Sequence, residues 1–180
     1  MTQLPPDSVL VAAASGEVGA LEDIYRYFAP VLIQYFRGRG AGDPEGSCHD
    51  VLLTVFSRIP TVTGGMAGLR SFVFAVAHAR IVDQYRWNGR QPPVGEFVAA
   101  ADHRSVESAE ETVITLAGAA EMDELLQRLG ADQREALLLR IVADLSLAET
   151  ARIMKRSTGA VKQLQRKGLI ALRAILEDGE

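Results

Sequence analysis

Apolar residues recur along this chain at spacings of three and four, the period of a helix that buries one face. Leu21, Ile24, Tyr25, Phe28, Leu32, Tyr35 and Phe36 form the first stripe. Pro30 lies inside it and predicts a kink or break near Ala29, because proline lacks the amide that continues a helix. Val51, Leu52, Val55, Phe56 and Ile59 mark a second helix, and Leu69, Phe72, Val73, Val76, Ala77, Ile81 and Tyr85 a third. Between these two, TVTGGMAG (61–68) reads as a turn. No stretch alternates polar and apolar residues for long enough to suggest a strand, so the expected fold is all-α.

The pattern stops at GRQPPVGEFVAAADHRS (89–105), which has paired prolines and no stripe. A loop of this length is uncommon inside one small domain. The expected organisation is therefore two small helical domains, 1–90 and 107–180, joined by a flexible linker at 91–106. Helices resume at Ser108–Glu111, a Ser-x-x-Glu capping box in which two free amides are satisfied reciprocally. Acidic Glu110 and Glu111 suit the positive end of that helix, expected to run to about Leu129. DQREALLLRIV (132–142) predicts another, apolar almost all round.

A second Ser-x-x-Glu box, Ser146 to Glu149, opens a helix with Leu147, Ala151 and Met154 on one face. After KRS (155–157), Ser157 can cap a helix that turns Val161, Leu164, Gly168 and Leu172 inward. Two helices separated by about three residues, with small Ala151 where they approach, describe a helix-turn-helix in the C-terminal unit. In such a unit the second helix enters the DNA major groove.

Charge sharpens this picture. The formal net charge is −4, yet residues 152–173 carry seven basic groups and no acidic one, while residues 91–128 carry 2 basic and 8 acidic groups. Such asymmetry suggests different tasks for different segments. Lys162 and Arg166, one turn apart, could donate to guanine, and Gln163 could pair with adenine. Lys155, Arg156 and Lys167 are better placed for phosphates, which position a protein without reading sequence. A solvated basic helix face is the alternative, and the capped helix pair favours DNA binding over it.

Enzyme chemistry finds little support. There is no phosphate loop, metal constellation or paired-carboxylate arrangement, and His49, His78 and His103 are scattered. His78 reads as a helical histidine with an ordinary partner. Cys48 and His49 lack a second ligand pair, so no zinc site is expected. The expectation is a protein that is not an enzyme, with no cofactor and no metal. The N-terminal segment does not look like a signal peptide, since its one apolar stretch is short and no basic residue precedes it, and no apolar run approaches the ~18 residues of a membrane span. With one cysteine and hence no internal disulfide, the reading is cytoplasmic, without membrane insertion.

DQREALLLRIVADLSLAETARIMKRSTGAVKQLQRKGLIALR (132–173) resembles region 4 of the bacterial extracytoplasmic-function sigma factors. Gln133, Arg134, Glu135, Leu137 to Arg140, Leu145, Ser146, Glu149, Ala151, Ile153, Ser157, Gly159, Val161, Lys162, Leu172 and Arg173 match that family's pattern in register. A helix-turn-helix is shared by many regulators, and the preceding QREALLLR makes the match more specific. LEDIYRYFAPVLIQYF (21–36) resembles region 2.1, Pro30 included. RSFVFAVAHARIVDQYRW (70–87) resembles regions 2.3 and 2.4, with Arg80 and Asp83 in register, and Asp50, Val55, Phe56 and Arg58 match the segment between. The likeness spans about 20–88 and 107–176.

The resemblance implies a dissociable subunit that gives core RNA polymerase its promoter specificity, with promoter DNA and an anti-sigma factor as further partners. Polymerase contact would fall to Asp50, Leu53, Thr54, Phe56 and Arg58 on the helix at 47–59. The minus-ten element would meet Thr63, Gly64, Arg80, Asp83, Arg86, Trp87 and Arg90, which with Tyr85 supply the charge and stacking faces that unpaired bases require. The minus-thirty-five element would meet Lys155, Arg156, Ser157, Thr158, Gly159, Lys162, Gln163, Arg166 and Lys167. The chain departs from the family pattern at Leu53-Thr54, where Gln-Glu is usual. It departs again at Lys155-Arg156, in place of glycine and an apolar residue, and at Leu164-Gln165, where Arg-Leu is common. A helix-turn-helix regulator, or a sigma mimic that titrates an anti-sigma factor, is the alternative reading.

Overall fold

The protein, seen here as a computed structural model, is described over residues 3–87 and 119–177. Among these there are helices and no strand. α1 (Asp7–Ala14) is followed by α2 (Val18–Gly38), α3 (Pro44–Phe56), a 3-10 turn (Ile59–Thr61) and α4 (Gly65–Trp87). The second half holds α5 (Ala119–Gln127), α6 (Ala131–Leu137), a π-helical segment (Leu138–Val142), α7 (Leu147–Met154) and α8 (Thr158–Glu177).

The sequence pattern overlooks α1, whose eight residues give only two turns and no legible stripe. The helix buries Leu10 and Ala13. Its Asp7 carboxylate accepts a hydrogen bond from the Met66 amide at 2.7 Å, satisfying a free donor at the start of α4. α2 runs unbroken through Pro30, so the expected break does not occur. Pro30 is exposed, so the carbonyl one turn earlier that it leaves without a donor can turn to water rather than be stranded in the core. Tyr25, assigned to the buried stripe, is 39% exposed, and its hydroxyl lies 3.1 Å from His49 Nε2. α3 begins at Asp43, whose side chain accepts from Gly46 N at 2.9 Å, with Pro44 at the first helical position, where its missing amide costs nothing.

The TVTGGMAG turn is shorter than the sequence suggests, since α4 already starts at Gly65. Gly64 takes φ +82°, a conformation open mainly to glycine. Gly68 is required for another reason: a Cβ there would sit 1.9 Å from the Thr63 carbonyl oxygen. α4 as a whole, at Gly65–Tyr85, is long and apolar enough on average (mean hydropathy 1.2) to meet the length and composition of a membrane span. The run-based expectation missed this because Arg70, Arg80 and Asp83 interrupt the apolar sequence. Met66, Leu69, Val73, Phe74, Ala77 and Ile81 of this helix are buried in the protein core.

The core is built on α2, where Ile24, Phe28, Leu32, Tyr35 and Phe36 are inaccessible to solvent. Val51, Leu52 and Val55 of α3 and the buried stripe of α4 close over them. Each such side chain contributes about 1.5–3 kcal/mol on burial. The same apolar cluster continues into Leu126, Leu138, Leu139, Leu145 and Leu169, so helices from both halves share it. The approach is tight at Gly38, where a Cβ would lie 2.7 Å from a Leu138 methyl.

Cys48 is buried, with its thiol 3.7 Å from the Ala29 carbonyl. Burial first, and the Glu45 charge second, push its pKa up to about 11. A raised thiol pKa contributes stability in full below the unfolded value of about 8.5, and that contribution is lost as pH rises through about 11. At about pH 8, Cys48 in the folded protein should react with an aromatic disulfide reagent at least a hundredfold more slowly than in denaturant. Equal rates would place the thiol at the surface.

Candidate nucleic-acid interface

The helix-turn-helix is held by local hydrogen bonds that its sequence announces. Ser146 Oγ accepts from Glu149 N at 3.2 Å, and Glu149 Oε2 accepts from Ser146 N at 2.8 Å, which completes the capping box. α7 ends at Lys155, which takes the left-handed conformation with φ 54°. Arg156 N then donates to Ala151 O at 2.9 Å, the long return bond of a Schellman turn. Lysine at this position is strained by about 1 kcal/mol relative to the family's glycine. Ser157 Oγ accepts from Ala160 N at 3.1 Å and caps α8. Ala136, Ala151 and Val161 pack together as the small cluster that lets the helices approach.

α8 turns Val161, Gln165, Gly168, Leu169 and Leu172 inward. Lys155, Arg156, Ser157, Thr158, Gly159, Lys162 and Gln163 are exposed around its N-terminal end, and Arg166 and Lys167 are half-buried. Of the nine residues expected at the minus-thirty-five element, Lys155, Arg156 and Ser157 lie in the turn and the other six on the first half of α8. Arg156 is committed in part to Asp132, at 2.8 Å. The Leu164-Gln165 departure is absorbed by packing: Leu164 is half-buried, and Gln165 is buried and accepts a long bond (3.4 Å) from Arg140 Nε.

The residues expected at the minus-ten element divide. Thr63 and Gly64 are exposed in the short loop before α4, and Arg80 and Asp83 are exposed on that helix. Arg80 is paired with Asp50 of α3, so one candidate from each of two expected surfaces meet in an ion pair. Arg86 and Trp87 belong to the last turn of α4, and Arg90 lies outside the described residues, as do the 91–106 linker and the Ser108–Glu111 box. Tyr85, offered as a stacking face, is instead half-buried: its hydroxyl donates to Arg39 O at 2.9 Å and its ring lies 5.8 Å from the Arg39 guanidinium. On α3, Asp50, Leu53 and Thr54 are exposed and Phe56 is half-buried; the helix ends at Phe56, short of the expected 59, so exposed Arg58 lies just beyond it.

Sequence patterns gave no sign of how the two halves meet. Glu135, buried at 2% exposure, accepts from the Tyr35 hydroxyl at 2.8 Å and from His78 Nδ1 at 2.7 Å. Arg39 Nε lies 3.0 Å from its other oxygen, close enough for a strong ion pair although the angle is poor for a hydrogen bond. Arg39 also donates to Ala131 O at 3.1 Å, and Gln127 Nε2 donates to Gly38 O at 3.0 Å. At the far edge, Arg70 pairs with Asp144 at 2.8 Å, and the Ser71 hydroxyl donates to Glu149. This last contact borders a groove of about 680 Å³ lined by Thr63, Gly64 and Ser71 from one half and by Glu149 and Arg152 from the other.

Burial alone would raise the Glu135 carboxyl pKa, but the Arg39 charge, with the His78 and Tyr35 contacts, more than offsets it and holds it below the usual range. A depressed carboxyl contributes stability above its unfolded pKa of about 4.3 and loses it as pH falls through the folded value. The melting temperature should therefore drop below about pH 4, and drop less in Glu135→Gln. Identical acid profiles for the two proteins would remove Glu135 from the account. The Tyr35 hydroxyl is driven the other way, chiefly by burial and then by the Glu135 charge, so it remains a donor throughout this range.

Comparison with known proteins agrees with this geometry. Residues 125–174 match the family described as sigma-70, region 4. The chain is 28% identical over 173 residues to the extracytoplasmic-function RNA polymerase sigma factor SigD of Mycobacterium tuberculosis, covering 93% of this chain and 82% of that one. It is 29% identical over 177 residues to the sigma factor ShbA of Streptomyces griseus subsp. griseus, covering 92% of each. Among solved structures, CnrH in complex with the cytosolic domain of CnrY shares the fold, with a TM-score of 0.66 at 19% identity over 97% of this chain and 99% of that one. The match over the helix-turn-helix and the near full-length relatives agree with the motifs of both halves, and the chain is similar to extracytoplasmic-function sigma factors along most of its length.

Proposed function

We propose that the protein is a dissociable sigma subunit that directs core RNA polymerase to a specific set of promoters. It works as two units, 1–90 and 107–180, connected through 91–106. The first docks on polymerase through α3 and engages the minus-ten element with the 61–65 loop and the outer face of α4. The second reads the minus-thirty-five element with α8. The observation that carries this reading is the N-terminal end of α8, where Lys162 and Gln163 stand exposed beside a capped turn, on the segment that matches region 4. An anti-sigma factor is the expected regulator, and the cytoplasm the expected site of action.

The division of labour within α8 is testable. Exposed Lys155 and the free amides at the N-terminus of α8 suit phosphates, whereas Arg166, one turn beyond Lys162, reaches towards base edges. Arg166→Ala should relax sequence preference at the upstream element by about 1–3 kcal/mol at one position. A uniform loss on every sequence would make Arg166 a phosphate contact. For the function itself, the tagged protein should coincide with polymerase at a limited set of promoters in chromatin mapping. Binding spread over DNA without polymerase would favour a regulator that acts alone.

A further inference from the structure

Resting on that reading, the 61–65 loop assigned to the minus-ten element owes its shape to a residue far from it in sequence. Two successive glycines take left-handed backbone there, Gly64 with φ +82° and Gly65 with φ +64°. Gly64 has no side chain to cap α4, which starts at Gly65, so the free amides of that helix need an acceptor from elsewhere. Asp7, the first residue of α1, supplies it through its 2.7 Å bond from Met66 N. The same carboxylate lies against Gly65, where a Cβ would collide with its Cγ and both its oxygens. On the other side the loop is braced by α4 itself: Gly68 N donates to Gly64 O at 3.0 Å, and Gly68 Cα leaves no room beside the Thr63 carbonyl. Exposed Thr63 and Gly64 are thereby set between two supports, one of them from α1. A pair of glycines has the widest choice of backbone conformations, so without the second support this form would be one among many.

We propose that Asp7 is a positioning residue for the minus-ten element. It holds the loop in the form that receives unpaired bases, and so gives α1, which bears none of the expected DNA contacts, a part in promoter opening. Asp7 has the wrong sign to touch DNA itself, since a carboxylate repels phosphate. Its charge is directed instead at the positive end of α4. A loop already set before the bases arrive loses less freedom on binding them, which is the benefit of the anchor. The effect on the loop is separable from an effect on the fold. The Asp7 side chain is exposed, so its removal leaves no cavity, and buried Leu10 and Ala13 keep α1 in place. Met66 is likewise buried, which leaves the loop before it as the segment free to respond.

The test compares Asp7→Ala, which removes the acceptor, with Asp7→Asn, which keeps an acceptor oxygen and loses the charge. In the free chain, exchange of the Met66 amide followed by NMR should accelerate roughly tenfold in Asp7→Ala and no more than about threefold in Asp7→Asn. Both variants should melt within about 5 °C of the native chain. Opening is then read with core polymerase on a promoter found by chromatin mapping, with 2-aminopurine placed in the minus-ten element. Asp7→Ala should open it roughly tenfold less well, while its affinities for polymerase and for minus-thirty-five duplex stay within about twofold of native. Asp7→Asn should open it to within about threefold of native. A residue that only stabilised the fold would lower opening, docking and duplex binding together, and that result would overturn the proposal. Native opening or an unchanged Met66 exchange rate in Asp7→Ala would also overturn it. So would equal failure of Asp7→Asn, which would assign the effect to charge rather than placement. Should the native chain open no promoter, the sigma reading fails and this role falls with it, whereas native opening left intact by Asp7→Ala removes the role alone.

Discussion

Leu53→Asp should weaken binding to core RNA polymerase by at least a hundredfold and shift the melting temperature by no more than about 2 °C. Leu53 is a large apolar side chain, 67% exposed on α3, at a position where the family usually carries a polar pair. Its neighbour Thr54 bonds back to Asp50 O at 2.9 Å, which leaves Leu53 as the side chain free to reach a partner. A buried apolar anchor is commonly worth 2 kcal/mol or more at an interface, and a carboxylate in its place adds a desolvation cost. At a solvent-exposed position the same change usually alters stability by less than about 0.5 kcal/mol. Equilibrium binding of labelled protein to purified core polymerase reads the effect. An unchanged affinity would move the docking surface off this face of α3.

The second large effect is expected at Gly68→Ala. The new methyl group would meet the Thr63 carbonyl at 1.9 Å, and backbone cannot swing aside as a flexible side chain can. The 61–65 loop would have to shift or α4 would have to unwind its first turn, at a cost of about 3 kcal/mol. For a chain of this size that is roughly a 10 °C fall in melting temperature. Because the loop carries Thr63 and Gly64, promoter-dependent activity should fall further than stability at working temperature would explain, while docking through α3 persists. A melting temperature within about 2 °C of native, with full activity, would show that the loop tolerates the displacement.

Most helices were legible from the sequence because each buries one face. The α2, α4 and α8 stripes needed only the three-and-four spacing, and both Ser146 and Ser157 cap the helices their positions suggest. Where the reading failed, a wider context was decisive. Pro30 does not break α2, because it faces outward and the helix is held by Phe28, Leu32 and Tyr35 on the opposite side. α1 is too short to show a period and takes its place from Asp7, whose partner is 59 residues away. The QREALLLR run reads as one helix, yet it passes into a π-helical turn at Leu138.

The candidate site was legible to a similar degree. Residues of the helix-turn-helix were found because local chemistry, caps and charge, defines them. The Glu135 clamp was not, because a carboxylate inside an apolar run says only that a partner must exist. Its partners Tyr35, Arg39 and His78 lie 57–100 residues away, and nothing local distinguishes them. Arg134 shows the same limit. It sits in the same motif but donates to the carbonyls of Gln127 and Leu129, tying down the end of α5 rather than reaching across the halves.

The central claim is most directly tested by run-off transcription reconstituted from core RNA polymerase and this protein, on promoter fragments from the encoding genome. The account predicts transcripts with discrete starts that depend on the added protein, that weaken with Arg166→Ala in a promoter-dependent way, and that vanish with Leu53→Asp. A protein that binds DNA yet yields no transcript from any genomic promoter with core polymerase would contradict it.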